Sequence, residues 1–361
     1  MTVFNTDKYD HTKQPMFFGK ELGVARYDMV RYPKLEKLVD QQQGYFWRPS
    51  EVDLSKDRFD FHHKMSEVDK RIFVSNLQYQ ILLDSVQGRA PVEVLLPICS
   101  LPELEDWIIN WTFSETIHSR SYTHIIRNIF TDPSEVFDGI LDIKEVLERA
   151  SMVTKYYDDL LYGVQVYNKT TNTQPDDLYL SLFKCMIAVY ALEAIRFYVS
   201  FACSYSFVER KLMEGNGKII GLINRDEFLH QGGTHFILTR WLRGVDCPEM
   251  SKVVQDNQHL ITEIFQQVAE QEKAWSKWLF KDGSVIGLNE KIVNQYVEYR
   301  TDKCLSELGQ PLLYGVTKDP LPWVSAYTNS ADVQIAPQES ELSNYIVGGL
   351  DTDITDLDME L

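Results

Sequence analysis

The stretch FSETIHSRSYTHIIR, residues 113–127, decides the fold of this chain. Within it Glu115 and His118 stand three residues apart, a spacing that puts two side chains on one face of a helix. Such a pair can grip one metal ion together. A second pair, Glu227 and His230, occurs in NRDEFLHQGG at residues 224–233. No other glutamate in the chain has a histidine three residues after it. Each pair follows a lone acid. Asp84 in ILLDSVQGR precedes Glu115 by 31 residues, and Glu193 in VYALEAIRFY precedes Glu227 by 34. One such pair alone means little, because a helical histidine is more often a packing or surface residue. A lone-carboxylate helix followed by a Glu-x-x-His helix, occurring twice, is how a four-helix bundle builds a two-metal carboxylate site.

The donor types choose the metal class. Four carboxylates and two imidazoles, with no thiolate, disfavour structural zinc and copper and suit iron or manganese. Four carboxylates also cancel the charge of two divalent ions. After oxidation, two trivalent ions and one oxo bridge leave the same zero balance, so a buried site avoids a stranded charge in both states.

Tyr122 follows His118 by four residues and Glu115 by seven, on the same helical stripe. An ordinary core tyrosine would fit that position too. Its face is the metal face, however, and a phenol beside an oxidised di-iron centre can lose an electron and a proton together. Phe197 and Phe201 follow Glu193 by four and eight residues, and Ile223 precedes Glu227 by four. These positions suit the lining of an apolar pocket and equally suit plain core packing.

Composition narrows the rest. The 361 residues are 44% hydrophobic, enough for a large core. No run of about eighteen uncharged apolar residues occurs, so no membrane span is expected. The start, MTVFNTDKYDHTKQPMFFG, lacks a basic cluster followed by an apolar stretch and does not read as a secretory signal. Five scattered cysteines form no C-x-x-C motif, which argues against an iron–sulfur cluster, a zinc knuckle or a disulfide framework and fits a reducing cytoplasm. A net charge of −17 disfavours binding to nucleic-acid phosphates.

Helical periodicity dominates, and no long strand alternation is found, so the predicted class is all-α. Helices are expected over 33–46, 66–87, 102–130, 142–168, 178–208, 215–240, 252–280 and 286–307. Residues 1–30 read as an irregular N-terminal arm and 31–317 as the helical domain. Residues 318–361 carry no Lys or Arg after Lys318 and finish DTDITDLDMEL, which reads as a flexible acidic tail.

Several further stretches carry a family resemblance: QPMFFG, YFWRP, SNLQYQILLDSVQGR, FSETIHSRSYTHIIRNI, ALEAIRFYVSFACS, RDEFLH, FKDGSVIGLN, QYVEY and APQESELSNYIVG. Together they span essentially the whole chain. They resemble the small, radical-generating subunit of class I ribonucleotide reductase, most closely the bacterial class Ia form. The resemblance implies a ferritin-like di-metal carboxylate helix bundle with additional helices. It implies two iron ions per chain, oxo-bridged when oxidised, one held by Asp84, Glu115 and His118 and the other by Glu193, Glu227 and His230. Manganese suits the same donors.

The resemblance also implies that Tyr122 is the stable tyrosyl radical. Trp47 would supply an electron during oxygen activation and lie on the radical-transfer route, with Asp226 linking it to His118. Tyr345 and Glu339 would take part in passing the radical to the large subunit, on which the tail docks. A homodimer and a reductant for cofactor assembly follow by the same resemblance. Phe228 departs from the family pattern, since a smaller residue is expected there, and residues 131–176 match less clearly. Two rival readings use the same bundle: a di-iron oxygenase or desaturase, and a ferritin-like iron-storage protein. Neither needs Tyr345, and storage needs neither Trp47 nor Asp226.

Overall fold

A computed structural model describes residues 2–169 and 176–328. Among them the architecture is helical, with only two isolated antiparallel bridges, Phe17 to Cys99 and Val285 to Leu288. The helices in chain order are α1 Pro33–Gly44, α2 Ser55–His63, α3 Glu67–Gln87, α4 Ala90–Val94, α5 Pro102–Ile129, α6 Ser134–Phe137 and α7 Lys144–Lys169. There follow α8 Asp176–Ala191, a π-helical turn Leu192–Arg196, α9 Phe197–Val208, α10 Glu214–Leu242, α11 Pro248–Asn257, α12 His259–Leu279, α13 Glu290–Glu307 and α14 Ser325–Thr328.

Local chemistry sets several of the boundaries. Ser66 and Asp69 form a reciprocal capping box that starts α3. Pro102 opens α5 at a position where its missing N–H costs nothing, with Glu103 and Glu105 complementing the helix dipole. Asn289 caps α13 by accepting from Ile292 N at 3.1 Å. The N-terminus of α10 is capped from outside the helix. Met213 sits there in a left-handed conformation (φ 53°) and supplies no side-chain cap. Asp57 on α2 accepts instead from Gly215 N at 3.0 Å and Asn216 N at 2.5 Å.

Helices α3, α5, α8–α9 and α10 form the central bundle. Around it α7, α12 and α13 cover one side, while α1, α2 and α11 cover others. The buried apolar residues make one continuous core. Its centre is the stretch Leu178–Val208, apolar enough by length and composition to cross a membrane but 78% buried within the fold, as a core helix is. Close helix contact requires glycine at Gly233, where an added Cβ would lie 2.1 Å from the Trp107 ring. All five cysteines are free, and four of them are buried.

The structure departs from the predicted elements in three places. The helix expected over 252–280 is two, α11 and α12, meeting at Gln258. The helix expected over 178–208 widens into a π turn at Leu192–Arg196. The short helices α2, α4, α6 and α14 went unpredicted, being too brief to show a period. The N-terminal arm is irregular apart from one turn, His11–Lys13, yet it is anchored: Met16 and Phe17 are buried, and Gly19 N donates to Ser100 Oγ at 2.6 Å. Beyond Lys318 packing continues, with Leu321 and Val324 buried and the Tyr327 ring stacked on Tyr205 at 4.7 Å. Most of the expected tail, including Glu339 and Tyr345, lies outside the described residues.

Candidate metal centre

Each central helix brings its acid to the bundle axis. Asp84 comes from α3, Glu115 and His118 from α5, Glu193 from the π turn, and Glu227 and His230 from α10. All six side chains are completely buried. Their donor atoms form two overlapping groups, Asp84–Glu115–His118–Glu227 and Glu115–Glu193–Glu227–His230, each with its ligand atoms within 4.8 Å of one another. Glu115 and Glu227 belong to both groups. The resemblance implies one ion for each of them, and each lies within reach of both groups of donors.

The two imidazoles are aimed by the groups behind them. His118 Nε2 lies 3.1 Å from Asp226 Oδ2, and His230 Nε2 lies 3.1 Å from Ser114 Oγ. A carboxylate can only accept, so Asp226 fixes a proton on His118 Nε2 and leaves the Nδ1 lone pair facing inward. His118 Nδ1 is then 3.1 Å from Glu227 Oε1 and 3.4 Å from Glu115 Oε2, without hydrogen-bond geometry to either. His230 Nδ1 is 3.0 Å from Glu227 Oε2 and 3.1 Å from Glu115 Oε1.

These donors suit cations. Both oxygens of Asp84, Glu115 Oε2, Glu193 Oε2 and Glu227 Oε1 are buried without a hydrogen-bond partner. Unpaired buried carboxylates are costly, and two divalent ions would neutralise four of them. The protonation pattern describes the same strain. Burial, then the Glu115 charge, pushes the Asp84 carboxyl well above its ordinary range, and burial with Glu227 does so for Glu193. Glu227 is held well below the usual range: burial would raise it, but the neighbouring Glu193, His118 and His230 prevail. Burial would lower His230, yet Glu115 and Glu227 hold it up at about 9.

Tyr122 is fully buried, and its hydroxyl has no hydrogen-bond partner. Burial first, and then the neighbouring Asp84 carboxylate, raises its phenol well above the ordinary pKa. Phe197, Phe201 and Ile223 are fully buried, and the two phenylalanine rings stack with centroids 6.0 Å apart. Trp47 Nε1 donates to Asp226 Oδ2 at 2.9 Å, so one carboxylate oxygen touches both the indole and His118. The Trp47 and His118 rings lie 6.4 Å apart, 29° from parallel. Phe228 is half-buried.

Four further contacts were not foreseen. Trp111 Nε1 donates to Glu115 Oε1 at 3.0 Å. Gln87 Nε2 donates to Glu193 Oε1 at 2.5 Å, and Tyr157 OH donates to Gln87 Oε1 at 2.9 Å. Ser114 backs His230, as above. Helical spacing places three of these residues beside the site, since Trp111 stands four residues before Glu115, Ser114 four before His118 and Gln87 three after Asp84. Tyr157 leaves no such sign.

Four central helices with two overlapping carboxylate–imidazole groups define a ferritin-like protein with a buried site suited to two metal ions. Residues 26–320 match the family described as ribonucleotide reductase, small chain. The ribonucleoside-diphosphate reductase subunit beta of Haemophilus influenzae is 50% identical over 99% of this chain and 98% of its own length. The ribonucleoside-diphosphate reductase 1 subunit beta of Escherichia coli O157:H7 is 49% identical, covering 98% and 96%, and the subunit beta of phage T4 is 44% identical, covering 98% and 97%. Solved structures share the fold at lower identity. The R2 subunit from Clostridium botulinum has a TM-score of 0.76 at 22% identity, covering 91% of this chain and 98% of that one. The dimanganese(II) NrdF of Streptococcus sanguinis has a TM-score of 0.67 at 19% identity, covering 84% and 99%.

The chain belongs to the ribonucleotide reductase small-chain family, whose class I members generate a tyrosyl radical and work with a large subunit. That membership sets aside the storage and oxygenase readings.

Proposed function

We propose that in this subunit of a ribonucleoside-diphosphate reductase Tyr122 carries the radical, and that two iron ions occupy the two groups of donors. The observation carrying this reading is the enclosed Tyr122 hydroxyl, beside Asp84 and unpartnered, on the helical stripe of Glu115 and His118. With dioxygen, bound iron would supply the oxidising power to take one electron from a phenol. Asp84 is the carboxylate placed to receive the phenolic proton. Burial among apolar residues, with Phe197, Phe201 and Ile223 as the proposed lining, keeps water and reductants from the oxidised ring.

Charge leaves by the other side of the site. Asp226 holds the Nε1 proton of Trp47 and the Nε2 proton of His118 on the same oxygen, so the indole and the metal-facing imidazole are joined through one acceptor. Tyr345 and Glu339 continue the route to the large subunit, where a cysteine of that partner begins ribonucleotide reduction. The chain acts as a homodimer in the cytoplasm, its site loaded with the help of a reductant. The exposed strip of Phe46, Ile109 and Phe113, with two of the rings stacked at 6.1 Å, supports self-association.

Electron paramagnetic resonance after adding Fe²⁺ and oxygen tests the reading. A tyrosyl doublet should form in the parent protein and be lost in Tyr122→Phe, which should still bind two metal ions. A doublet that persists in Tyr122→Phe assigns the radical elsewhere. No doublet with iron, but one after manganese loading, would change the metal and keep the tyrosine.

A further inference from the structure

Glu193 is the one ligand not carried on regular α-helix. It lies in the π turn Leu192–Arg196, where a wider helical turn replaces the usual hydrogen-bond ladder. Such a turn leaves its carbonyls poorly aligned with the amides that follow, and something must hold it in register. Two buried arginines touch it. Arg300 on α13 points both Nε and Nη2 at the Ala194 carbonyl oxygen, at 3.0 and 2.6 Å. Arg196, the last residue of the turn, donates from Nη1 to Glu272 Oε1 at 2.8 Å and from Nη2 to Gln271 Oε1 at 2.5 Å. Glu272 is also bound by Arg149 through Nε at 2.8 Å.

The Arg300 contact is the unusual one. Arg300 is only 6% exposed as a residue; its guanidinium lies 3.7 Å from the centre of the Tyr198 ring and forms no ion pair among the described residues. A buried cation without a carboxylate is expensive unless its hydrogen bonds are strong and fixed. Here the compensation is a two-pronged bond to one backbone oxygen and the face of an aromatic ring. That oxygen belongs to the residue immediately after Glu193.

We propose that Arg300 is a positioning residue for the second metal group: by clamping Ala194 O it fixes the π turn and so holds Glu193 at its place among Glu115, Glu227 and His230. This rests on the two-metal reading above. The role is selective. Glu193 belongs to only one of the two groups of donors, whereas Glu115 and Glu227 serve both. Loosening the turn should therefore weaken one ion and spare the other. Arg196 and its Glu272–Arg149 partners anchor the far end of the turn, so the fold itself does not depend on Arg300 alone.

The test is Mn²⁺ titration of the metal-free full-length chain, counting bound ions by electron paramagnetic resonance, in parent, Arg300→Leu and Arg300→Lys. The parent should take up two ions. Arg300→Leu should keep one ion at parental affinity and bind the other about 10–100-fold more weakly, the usual range when an outer support of a ligand is lost. Arg300→Lys, which returns a charge and a donor, should recover most of that loss. Equal binding of both ions in Arg300→Leu overturns the role of Arg300 while leaving the metal site intact. Equal weakening of both ions together with a lowered melting temperature overturns it too, because that is the mark of general destabilisation. A parent protein that binds fewer than two ions removes the two-metal reading and this proposal with it.

Discussion

Asp226 shows how much a single carboxylate can control. Its Oδ2 takes hydrogen bonds from two rings on different elements, while Oδ1 stays buried and unpartnered. The charge therefore acts locally: it fixes the His118 tautomer and aims Nδ1 into the cluster of carboxylates. Asp226→Asn keeps the shape and removes the charge, and an amide can turn its NH₂ towards His118 and spoil the tautomer. Mn²⁺ affinity at the group containing His118 should fall about 10–100-fold, with the group containing His230 much less affected. Unchanged affinity at both would mean that Asp226 serves only Trp47. The role of Asp226 was visible through family resemblance alone, because nothing about a helical Asp beside a Glu announces an indole 179 positions away. The grouping of the six candidate ligands, in contrast, was legible from spacing. Helical geometry turns a three-residue interval into a shared face, and a pattern seen twice is hard to produce by packing. The overlap of the two donor groups at Glu115 and Glu227 was not legible, since it depends on how helices approach and leaves no trace along the chain.

Helices were readable as such from their pattern, but where amphipathicity fades their internal detail was not. Leu178–Val208 is apolar on nearly all sides, so no periodicity remains to reveal that the turn widens around Glu193. The cap of α10 is equally invisible, because Asp57 lies on another helix 158 residues before Gly215. This helix carries Asp226, Glu227 and His230, so its first turn bears on the site. Burial raises the Asp57 carboxyl to about 6 from 3.8, against the pull of the two backbone N–H groups. The native state thus holds this proton more tightly than the unfolded chain. Its contribution to stability is complete below about pH 4 and is lost as pH rises through about 6. Asp57→Asn cannot titrate and should abolish that slope. In metal-free protein, the difference in urea unfolding free energy between parent and variant should shift against the parent by on the order of 2 to 3 kcal/mol from pH 4 to pH 7. Taking a difference removes the metal-site carboxylates, which titrate alike in both proteins. A difference that stays flat across this range would show that the backbone bonds keep Asp57 ionised throughout.

At the scale of the whole molecule, the bundle makes an oxidant but has to deliver it elsewhere. The charge of −17 and the lack of Lys or Arg after Lys318 leave an acidic end in which apolar residues recur: Ile354, Leu357 and Leu361. Packing on the bundle carries the chain as far as Tyr327, whose hydroxyl donates to Glu209 Oε1 at 2.6 Å. The residues that follow contain both tail positions proposed for transfer, Glu339 and Tyr345. Docking of any flexible peptide gives up conformational freedom, so under the proposed tail contact the apolar residues have to outweigh that cost and the net affinity should be moderate. A synthetic peptide of residues 342–361 should therefore compete with the full chain for the large subunit and inhibit ribonucleotide reduction in proportion to its excess. Replacing Leu357 or Leu361 by Ala should weaken the peptide by about tenfold, the loss expected when most of one leucine side chain no longer leaves water. Because apolar burial is the main attraction, raising the salt concentration should reduce competition far less than either substitution. A peptide that fails to compete even in large excess, or one whose binding disappears with salt while tolerating both alanines, would assign the acidic end to solubility and move the subunit contact onto the bundle itself.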